Sequence, residues 1–373
     1  MFNEWLNLER VSKHKVKHEK IFSISLFDAA KHSSRAFMKY FNEFLTVIIP
    51  AVNQYFKDWG IVLYLDYYLL FDDNNNRKNI VLNFIKENSN NPLMDIYIYQ
   101  MPKLITNKQH IGTSGTMVRF IPFFEKKYKV VWCLDVDLHP TYFKHMDAEV
   151  NKFINSKYEL YCGLNTFGYT WKERMPNVNN KYALVAGTLL SKISFPPEFI
   201  NDFMKNVINR TVKGWDKLID GAKKDGRRWR DGMDIFPYGG DEWFLNTYIY
   251  NYIQQNNIPV LIEMRLNPEG LITYLLYNTP QISKLIKQRE NEYKRMRALE
   301  KEIWINQTPQ NWAEYRKITI SFTEWLLNSV NKIPNSNLKL KPKEKAYLQF
   351  IKKNSELMKK SNNYYFIWGS DTL

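Results

Sequence analysis

The stretch VVWCLDVDL, from Val130 to Leu138, decides the fold because an apolar run ends in two carboxylates. The apolar residues before Asp135 are typical of a buried strand. Side chains two positions apart on a strand point to the same side, so Asp135 and Asp137 present both charges to one face. Two like charges held that close favour a cation between them.

Apolar runs alternate with amphipathic segments on the N-terminal side of this stretch. We expect strands over Ile21–Phe27, Ile61–Phe71 and Met94–Met101, with a helix that begins after Ser33 or Ser34 and ends at Pro50. Further elements are expected at IVLNFIKEN (helix), GTMVRFIPFFEK (short helix), YELYCGL and YALVAGTLL (strands), PPEFINDFMKNVI (helix) and DEWFLNTYIYNYI (helix). This order predicts an α/β, Rossmann-like fold with a mostly parallel central sheet flanked by helices. The ligand crevice of such a sheet lies outside the carboxyl ends of its strands.

The remaining chain suggests three regions: a basic leader over 1–20, an α/β domain over 21–279 and a mainly helical region over 280–373. The last region carries 18 Lys and Arg against 9 Asp and Glu. The connection from Thr211 to Gly240 is rich in glycine, and its Trp215 and Trp229 could stack on a ligand when the segment orders over it.

Composition limits the classes of protein that fit. With 373 residues, 45% hydrophobic residues and 16% aromatic residues, the chain should fold into a globular protein with a sizeable core. Two cysteines, no secretory signal and no long apolar run predict a soluble, cytoplasmic protein. The net charge of +15 favours an anionic partner, which could be nucleic acid, a membrane surface or a phosphorylated small molecule.

Carboxylate oxygens suit Mn²⁺ or Mg²⁺, which one or two protein carboxylates commonly hold together with substrate phosphates. Downstream, Gly187 and Thr188 lie near an expected strand end, where a backbone could approach a sugar closely. Asp241 and Glu242 follow a flexible Gly-Gly pair at the start of a helix. The helix dipole alone would also explain these two acidic residues.

Three motifs occur in one order: WCLDVDL from Trp132, VAGTLL from Val185 and GGDEWFLNTY from Gly239. Together they resemble the D-V-D, F-G-G-T and D-E-x-x-L-N-x-Y stretches of the retaining, blood-group-type α-1,3-galactosyl- and N-acetylgalactosaminyltransferases. GTMVRFIPFF, from Gly115, is similar to a broader set of GT-A glycosyltransferases of bacteria and large DNA viruses. The likeness covers roughly 21–264, but the sequence has Ala186 in place of the first glycine of the F-G-G-T pair.

The resemblance implies a GT-A fold and a metal-dependent transfer of sugar from a nucleotide-sugar, expected to be a UDP-sugar. The acceptor would be a hydroxyl of a glycan, protein or lipid, and the anomeric configuration would be retained. By position, the likeness makes Asp135 and Asp137 the ligands of Mn²⁺ and the donor diphosphate, and Arg119 an arginine that reaches the donor. It places Glu242 on the reactive face of the sugar and Asp241 against sugar hydroxyls.

Asp66, at the end of an early strand, is a further candidate for contacting the nucleoside of the donor, although a strand-end carboxylate that faces water explains it equally well. Gly187 and Thr188 complete the expected donor-binding set. The basic C-terminal region could dock on anionic lipid or simply be solvated.

Two other classes remain open. Phosphatases and phosphotransferases of the haloacid dehalogenase type also end a strand in D-x-D, with Asp135 as the nucleophile and Asp137 as the acid/base. That motif normally opens the first strand of its domain and is followed by Thr or Val, whereas this chain has three earlier strands and His139. A nucleic-acid-binding protein without catalysis would account for the positive charge but not for the acidic crevice.

Overall fold

The computed structural model describes residues 2–13, 15–27, 37–71, 75–106, 109–110, 113–136, 138, 140–165, 184–224, 232, 234–265, 268–305, 308–334, 338, 340–360 and 367–372. The chain divides into two compact units, one comprising Met1–Glu263 with Ser370–Leu373 and the other Met264–Gly369. The division therefore falls before the expected break at residue 279, because the helix Pro268–Asn278 packs against the helices that follow it. Within the described residues, no helix combines the length and apolar character needed to cross a membrane.

A mixed, mostly parallel sheet forms the centre of the first unit. Its strand order in the described part of the chain is β1-β4-β3-β2-β7-β9-β8-β10-β11, while β5 pairs with β6. The strands are β1 (Asn7–Arg10), β2 (Lys20–Leu26), β3 (Trp59–Asp66), β4 (Met94–Gln100), β5 (Ile105–Thr106), β6 (Gln109–His110), β7 (Val130–Leu134), β8 (Leu160–Asn165), β9 (Thr188–Ser191), β10 (Val260–Arg265) and β11 (Ile367–Thr372). β4, β3, β2 and β7 run parallel, whereas β1 and β9 are antiparallel to their neighbours. The α/β prediction with a largely parallel sheet is confirmed.

Helices connect these strands. They are Phe37–Glu43, Ile49–Tyr55, Asn75–Asn88, Pro140–Ile154, Glu198–Ile208, Asp216–Lys224, Gly240–Phe244 and Tyr250–Gln255, with a 3₁₀ helix over Ser114–Phe124. The expected helix that should end at Pro50 instead continues to Tyr55. A π turn over Phe44–Ile48, closed by the Ile49 N–H on the Phe44 carbonyl, precedes the proline. The wider turn accommodates a residue that lacks an N–H and would clash within an α-helix.

β3 is shorter than the sequence indicates. The strand was expected to reach Phe71, but it ends at Asp66 and a 3₁₀ turn covers Tyr67–Phe71. The Asp66 side chain accepts a hydrogen bond from the Tyr68 N–H at 3.1 Å, which closes an Asx turn. The apolar run therefore extends beyond the end of β3, because the Asx turn at Asp66 ends the strand.

Aromatic side chains fill the core on one side of β2 and β7. Phe22, Trp59 and Trp132 lie with ring centroids 4.9 to 6.0 Å apart, and Phe56 packs edge-on against all three. Such pairs contribute about 0.5–1.5 kcal/mol each beyond the area they bury. This cluster fixes the parallel pair whose carboxyl ends carry the candidate site.

The predicted leader over 1–20 is an integral part of the first unit. β1 pairs with β4 in register from Asn7 opposite Gln100, and Trp5 is buried with its indole N–H bonded to Asn201 at 2.9 Å. β1 thereby covers the edge of β4, which would otherwise expose unpaired backbone groups.

The second unit is helical, as predicted. Its helices are Pro268–Asn278, Pro280–Gln288, Glu290–Ile305, Pro309–Asn331 and Pro342–Lys360. Apolar residues at helical spacing predict a packing stripe in this region, made of Leu285, Tyr293, Met296, Leu299, Ile303 and Trp304. Four of them, Tyr293, Met296, Leu299 and Ile303, are buried. Ile286 is buried in place of the neighbouring Leu285.

Candidate functional site

A cavity of about 310 Å³ opens at the carboxyl ends of β2 and β7. The polar and charged groups on its walls come from five separate parts of the chain. The lining residues are Ser25, Leu26, Phe27, Tyr40, Thr113, Thr116, Arg119, Leu134, Asp135, Val136, Ala186, Tyr238, Gly239, Asp241 and Glu242. Four of the residues predicted from the sequence, Arg119, Asp135, Asp241 and Glu242, thus line one cavity.

Arg119 lies at the centre of this arrangement. Its side chain is 6% exposed, and its two terminal nitrogens donate to different carboxylates: Nη1 to Asp135 Oδ1, and Nη2 to Asp241 Oδ2 at 2.9 Å. The Arg119 carbonyl accepts hydrogen bonds from Ser23 Oγ and Cys133 Sγ, which fix the backbone of the 3₁₀ helix against β2 and β7. Burial lowers the pKa of the guanidinium, but Asp135 and Asp241 raise it more, so that it stays above its ordinary value.

Asp135 follows the last residue of β7, and 46% of its side chain is exposed to the cavity. Its backbone N–H points toward the Gly187 carbonyl at 3.4 Å, beside the start of β9. A Cβ atom at Gly187 would overlap the Asp135 Oδ2 atom. The small residue is therefore required for the carboxylate to occupy this position.

Asp241 and Glu242 begin a helix whose entry is a tight turn. Gly239 has φ of 85°, which favours glycine, and a Cβ on Gly240 would meet the Phe236 ring at 2.6 Å. The Gly-Gly pair that the sequence suggested to be flexible is thus closely packed. Asp241 Oδ1 accepts the Glu242 N–H at 2.9 Å while Oδ2 accepts from Arg119, so both of its oxygens are engaged.

Glu242 lies in a strongly negative environment. Burial raises the pKa of its carboxyl well above 4.5, and the charges of Asp241 and Asp135 raise it further. A hydrogen bond from the Ala186 backbone and the charge of Arg119 lower it by less. Ionised Glu242 is therefore costly here unless another positive charge comes close.

Asn246, one turn after Glu242, was not assigned a role from the sequence. Its side-chain amide accepts the Leu184 N–H at 2.8 Å and donates to the carbonyls of Leu184 at 2.9 Å and Glu242 at 2.8 Å. Asn246 therefore joins the segment that contains Ala186 and Gly187 to the helix that begins at Asp241. Asn246 follows Glu242 at helical spacing and is buried despite its polarity. The sequence shows the spacing but not the burial, so it gives no signal for this link.

Four predicted residues lie outside the cavity lining, and Gly187, which contacts Asp135 as described above, is one of them. Asp66 ends β3, is 1% exposed and caps the Asx turn described above. Thr188 is buried, and its hydroxyl donates to the Gly163 carbonyl, so it joins β9 to β8. Trp215 is buried and stacks on Phe203 with centroids 5.6 Å apart, which contradicts its predicted role as a ligand-stacking residue of a lid.

Asp137, Trp229 and His139 lie outside the described residues. The cavity also has lining residues that the sequence did not single out, namely Ser25, Tyr40, Thr113, Thr116 and Tyr238. Thr113 joins two walls of the cavity, because its hydroxyl donates to the Pro237 carbonyl at 3.3 Å. Isolated Thr and Tyr residues without a motif carry no signal for such a position.

Several carboxyl groups face this cavity. Among them, no group of three or more His, Cys, Asp and Glu side chains is arranged to hold a metal ion. However, Asp135, Asp241 and Glu242 set three carboxyl groups against the guanidinium of Arg119 in the cavity lining. Burial raises the pKa of Glu242, and the charges of Asp241 and Asp135 raise it further. Hard divalent cations are commonly held by one or two carboxylates plus substrate phosphates. The half-exposed Asp135 carboxylate therefore fits a role as a ligand to Mn²⁺ or Mg²⁺.

A comparison of the chain with models of known protein families and with curated protein sequences gives no match.

Proposed function

We propose that the protein is a metal-dependent glycosyltransferase of the GT-A fold, which transfers a sugar from a nucleotide-sugar, a UDP-sugar in the first instance, to an acceptor hydroxyl. One observation carries the proposal: Arg119, Asp135, Asp241 and Glu242 meet in a single cavity at the carboxyl ends of parallel strands. The three motifs that resemble the blood-group-type enzymes contribute to this cavity, and retention follows from the same resemblance.

Cleavage of the bond between the anomeric carbon and the diphosphate builds negative charge on the leaving group. In the proposal, Asp135 holds Mn²⁺ or Mg²⁺, together with Asp137 as the sequence predicts, and the cation would offset the charge of the diphosphate. Arg119 provides a second, permanent positive charge at the base of the cavity. Because its guanidinium is fixed by Asp135 and Asp241, it needs little reorganisation as the reaction proceeds.

Positive charge develops on the sugar ring at the same time. Ionised Glu242 is costly without a nearby cation, so its carboxylate would interact strongly with positive charge that appears beside it. The Ala186 N–H donates to the Glu242 carboxylate and holds its orientation. Asp241, engaged by Arg119 and by the Glu242 N–H, fixes the start of the helix and adds a second acidic group on the sugar side of the cavity.

The proposal is tested first by ligand binding and then by chemistry. UDP-, GDP- and TDP-sugars are screened with and without Mn²⁺ by thermal shift, since a ligand that binds the native state raises the melting temperature. The best donor is then assayed for Mn²⁺-dependent release of nucleoside diphosphate. We expect one donor to stabilise the protein with Mn²⁺ present, and slow donor hydrolysis that chelator abolishes.

Variants assign the reaction to the cavity. Asp135→Asn and Asp137→Asn should remove both the Mn²⁺-dependent shift and donor hydrolysis, whereas Asp202→Asn, an exposed aspartate that does not line the cavity, should change neither. Full donor hydrolysis by Asp135→Asn in the presence of chelator would refute the proposal. Hydrolysis of a phosphate monoester without donor hydrolysis would favour the phosphatase alternative instead.

A further inference from the structure

The second unit has a cavity of its own between its first three helices. Its volume is about 330 Å³, large enough for part of a small ligand but not for an extended polymer. The lining residues are Leu276, Tyr277, Ser283, Ile286, Lys287, Glu290, Tyr293, Lys294 and Arg297. All of them belong to Met264–Gly369, so the cavity is a property of this unit alone.

The inner wall of this cavity is apolar and well supported. Ile286 and Tyr293 are buried, and the Tyr293 hydroxyl shares a hydrogen bond of 2.7 Å with Thr273 Oγ1. The Arg297 guanidinium lies over the Tyr293 ring, 6.0 Å from its centroid. The cavity therefore combines a fixed apolar floor with a cation held at its edge.

Positive charge dominates the rim. Lys287, Lys294 and Arg297 stand against Glu290, which pairs with Lys294 at 2.9 Å. The lining thus has three cationic side chains and one anionic side chain, which gives it a net positive charge beside the apolar floor. The surrounding unit adds to it, since residues 264–369 contain 19 Lys and Arg against 9 Asp and Glu.

Tyr277 completes the surface. It lies on the rim of the cavity, and 74% of its surface is exposed. A tyrosine beside lysine and arginine is the combination that favours the boundary between lipid headgroups and acyl chains, because each has an apolar body and a polar end.

We propose that this cavity binds the headgroup region of an anionic phospholipid and docks the second unit on a membrane surface. Lys287 and Arg297 meet the lipid phosphate, the apolar floor receives the start of the acyl chains, and Tyr277 inserts at headgroup level. Charge complementarity and the apolar floor favour lipid over nucleic acid, which would need an extended basic groove. This inference stands apart from the glycosyltransferase proposal, because it concerns the other unit and uses none of the residues of the first cavity.

The test is a flotation assay of the full chain with vesicles of phosphatidylcholine alone or mixed with phosphatidylserine. We expect binding to the mixed vesicles and little to the neutral ones. Near the surface each lysine is worth about 1 kcal/mol, so Lys287→Ser should weaken binding about fivefold. Tyr277→Ser should weaken it further without changing the charge.

The matched control is Lys332→Ser, which removes the same charge from an exposed position that does not line the cavity. An equal loss of binding for Lys332→Ser and Lys287→Ser would overturn the proposal, because it would assign binding to the diffuse charge of the unit. Equal binding to neutral vesicles would overturn it too, as would complete release by soluble glycerol phosphate, which would indicate a site for small anions. Lys287→Arg keeps the charge and should bind as the parent protein does, and a loss of binding in this variant would mean that charge at this position does not carry the binding.

Discussion

Replacing Arg119 with methionine tests whether one guanidinium holds the candidate site together. Methionine keeps a long, flexible, apolar side chain but removes the charge that Asp135 and Asp241 share. The hydrogen bonds from Ser23 and Cys133 go to the Arg119 carbonyl, so they survive the substitution. The change therefore isolates the ion pairs from the backbone of the 3₁₀ helix.

The two ion pairs differ in weight. Asp241 has 11% of its side chain exposed, so removing its partner leaves a buried charge uncompensated, which costs about 3–5 kcal/mol. Asp135 has 46% exposed, and its pair is worth at most about 1 kcal/mol after screening by water. We therefore expect Arg119→Met to lower the free energy of unfolding of the first unit by about 3–5 kcal/mol, almost all of it through Asp241.

Differential scanning calorimetry of the full chain measures this effect. For a domain of this size about 1 kcal/mol shifts the melting temperature by about 2–4 °C, so the transition of the first unit should fall by about 6 °C or more. Arg119→Met combined with Asp241→Asn should recover much of the loss, because the buried carboxylate is then neutral. The same recovery is not expected from Asp135→Asn in the Arg119→Met background.

Two results would refute this reasoning. An unchanged melting temperature for Arg119→Met would mean that the buried pair contributes nothing to the fold. Strictly additive effects of Arg119→Met and Asp241→Asn would mean that the two side chains are not coupled, whereas residues in one ion pair normally show a coupling energy of about 0.5–3 kcal/mol.

Three other predictions concern the residues around this pair. Burial raises the pKa of Glu242 well above 4.5, so its contribution to stability is complete below that pH and is lost as pH rises through the folded-state pKa. The melting temperature of Glu242→Gln should therefore rise increasingly above that of the parent protein as pH increases from 4.5, and a difference that does not change with pH would contradict this. Gly187→Ala should displace the Asp135 carboxylate and abolish any Mn²⁺-dependent thermal shift. The control is Gly221→Ala, where a Cβ meets no atom within 4 Å; it should stabilise its helix by about 0.5–1 kcal/mol and leave the Mn²⁺-dependent shift unchanged. Trp215→Ala should lower the melting temperature through lost packing, while Trp215→Phe should leave donor hydrolysis per folded molecule intact; loss of hydrolysis in Trp215→Phe would restore the ligand-stacking role.

The sequence predicted the central sheet because local signals agreed with the fold. β2, β4 and β7 are apolar runs bounded by polar residues, and the alternation of strands with helical segments is typical of a largely parallel sheet. The prediction of β3 overshot its end, because the apolar run continues through Tyr67–Phe71 and a single Asx turn at Asp66 ends the strand. The boundary depended on one hydrogen bond rather than on hydrophobicity.

The residues of the candidate site that lie in sequence motifs were predictable, whereas contacts between residues far apart in the sequence were not. Asp135 and Glu242 stand in recognisable stretches, and both line the cavity. The family resemblance singled out Arg119, but no local pattern indicates that its guanidinium pairs with residues 16 and 122 positions away. Thr188 shows the opposite case, because a hydroxyl in a plausible motif turns inward to bond a neighbouring strand.

The amide of Asn246 has a mechanical consequence. It ties the start of the Glu242 helix to the loop ahead of β9, and Gly187 in that loop abuts the carboxylate of Asp135. A displacement of one wall of the cavity would thus move the opposite wall through the three hydrogen bonds of Asn246. We therefore expect a ligand that binds to Asp135 to change the position of Glu242 as well. The two ends of such a ligand would then bind cooperatively instead of independently.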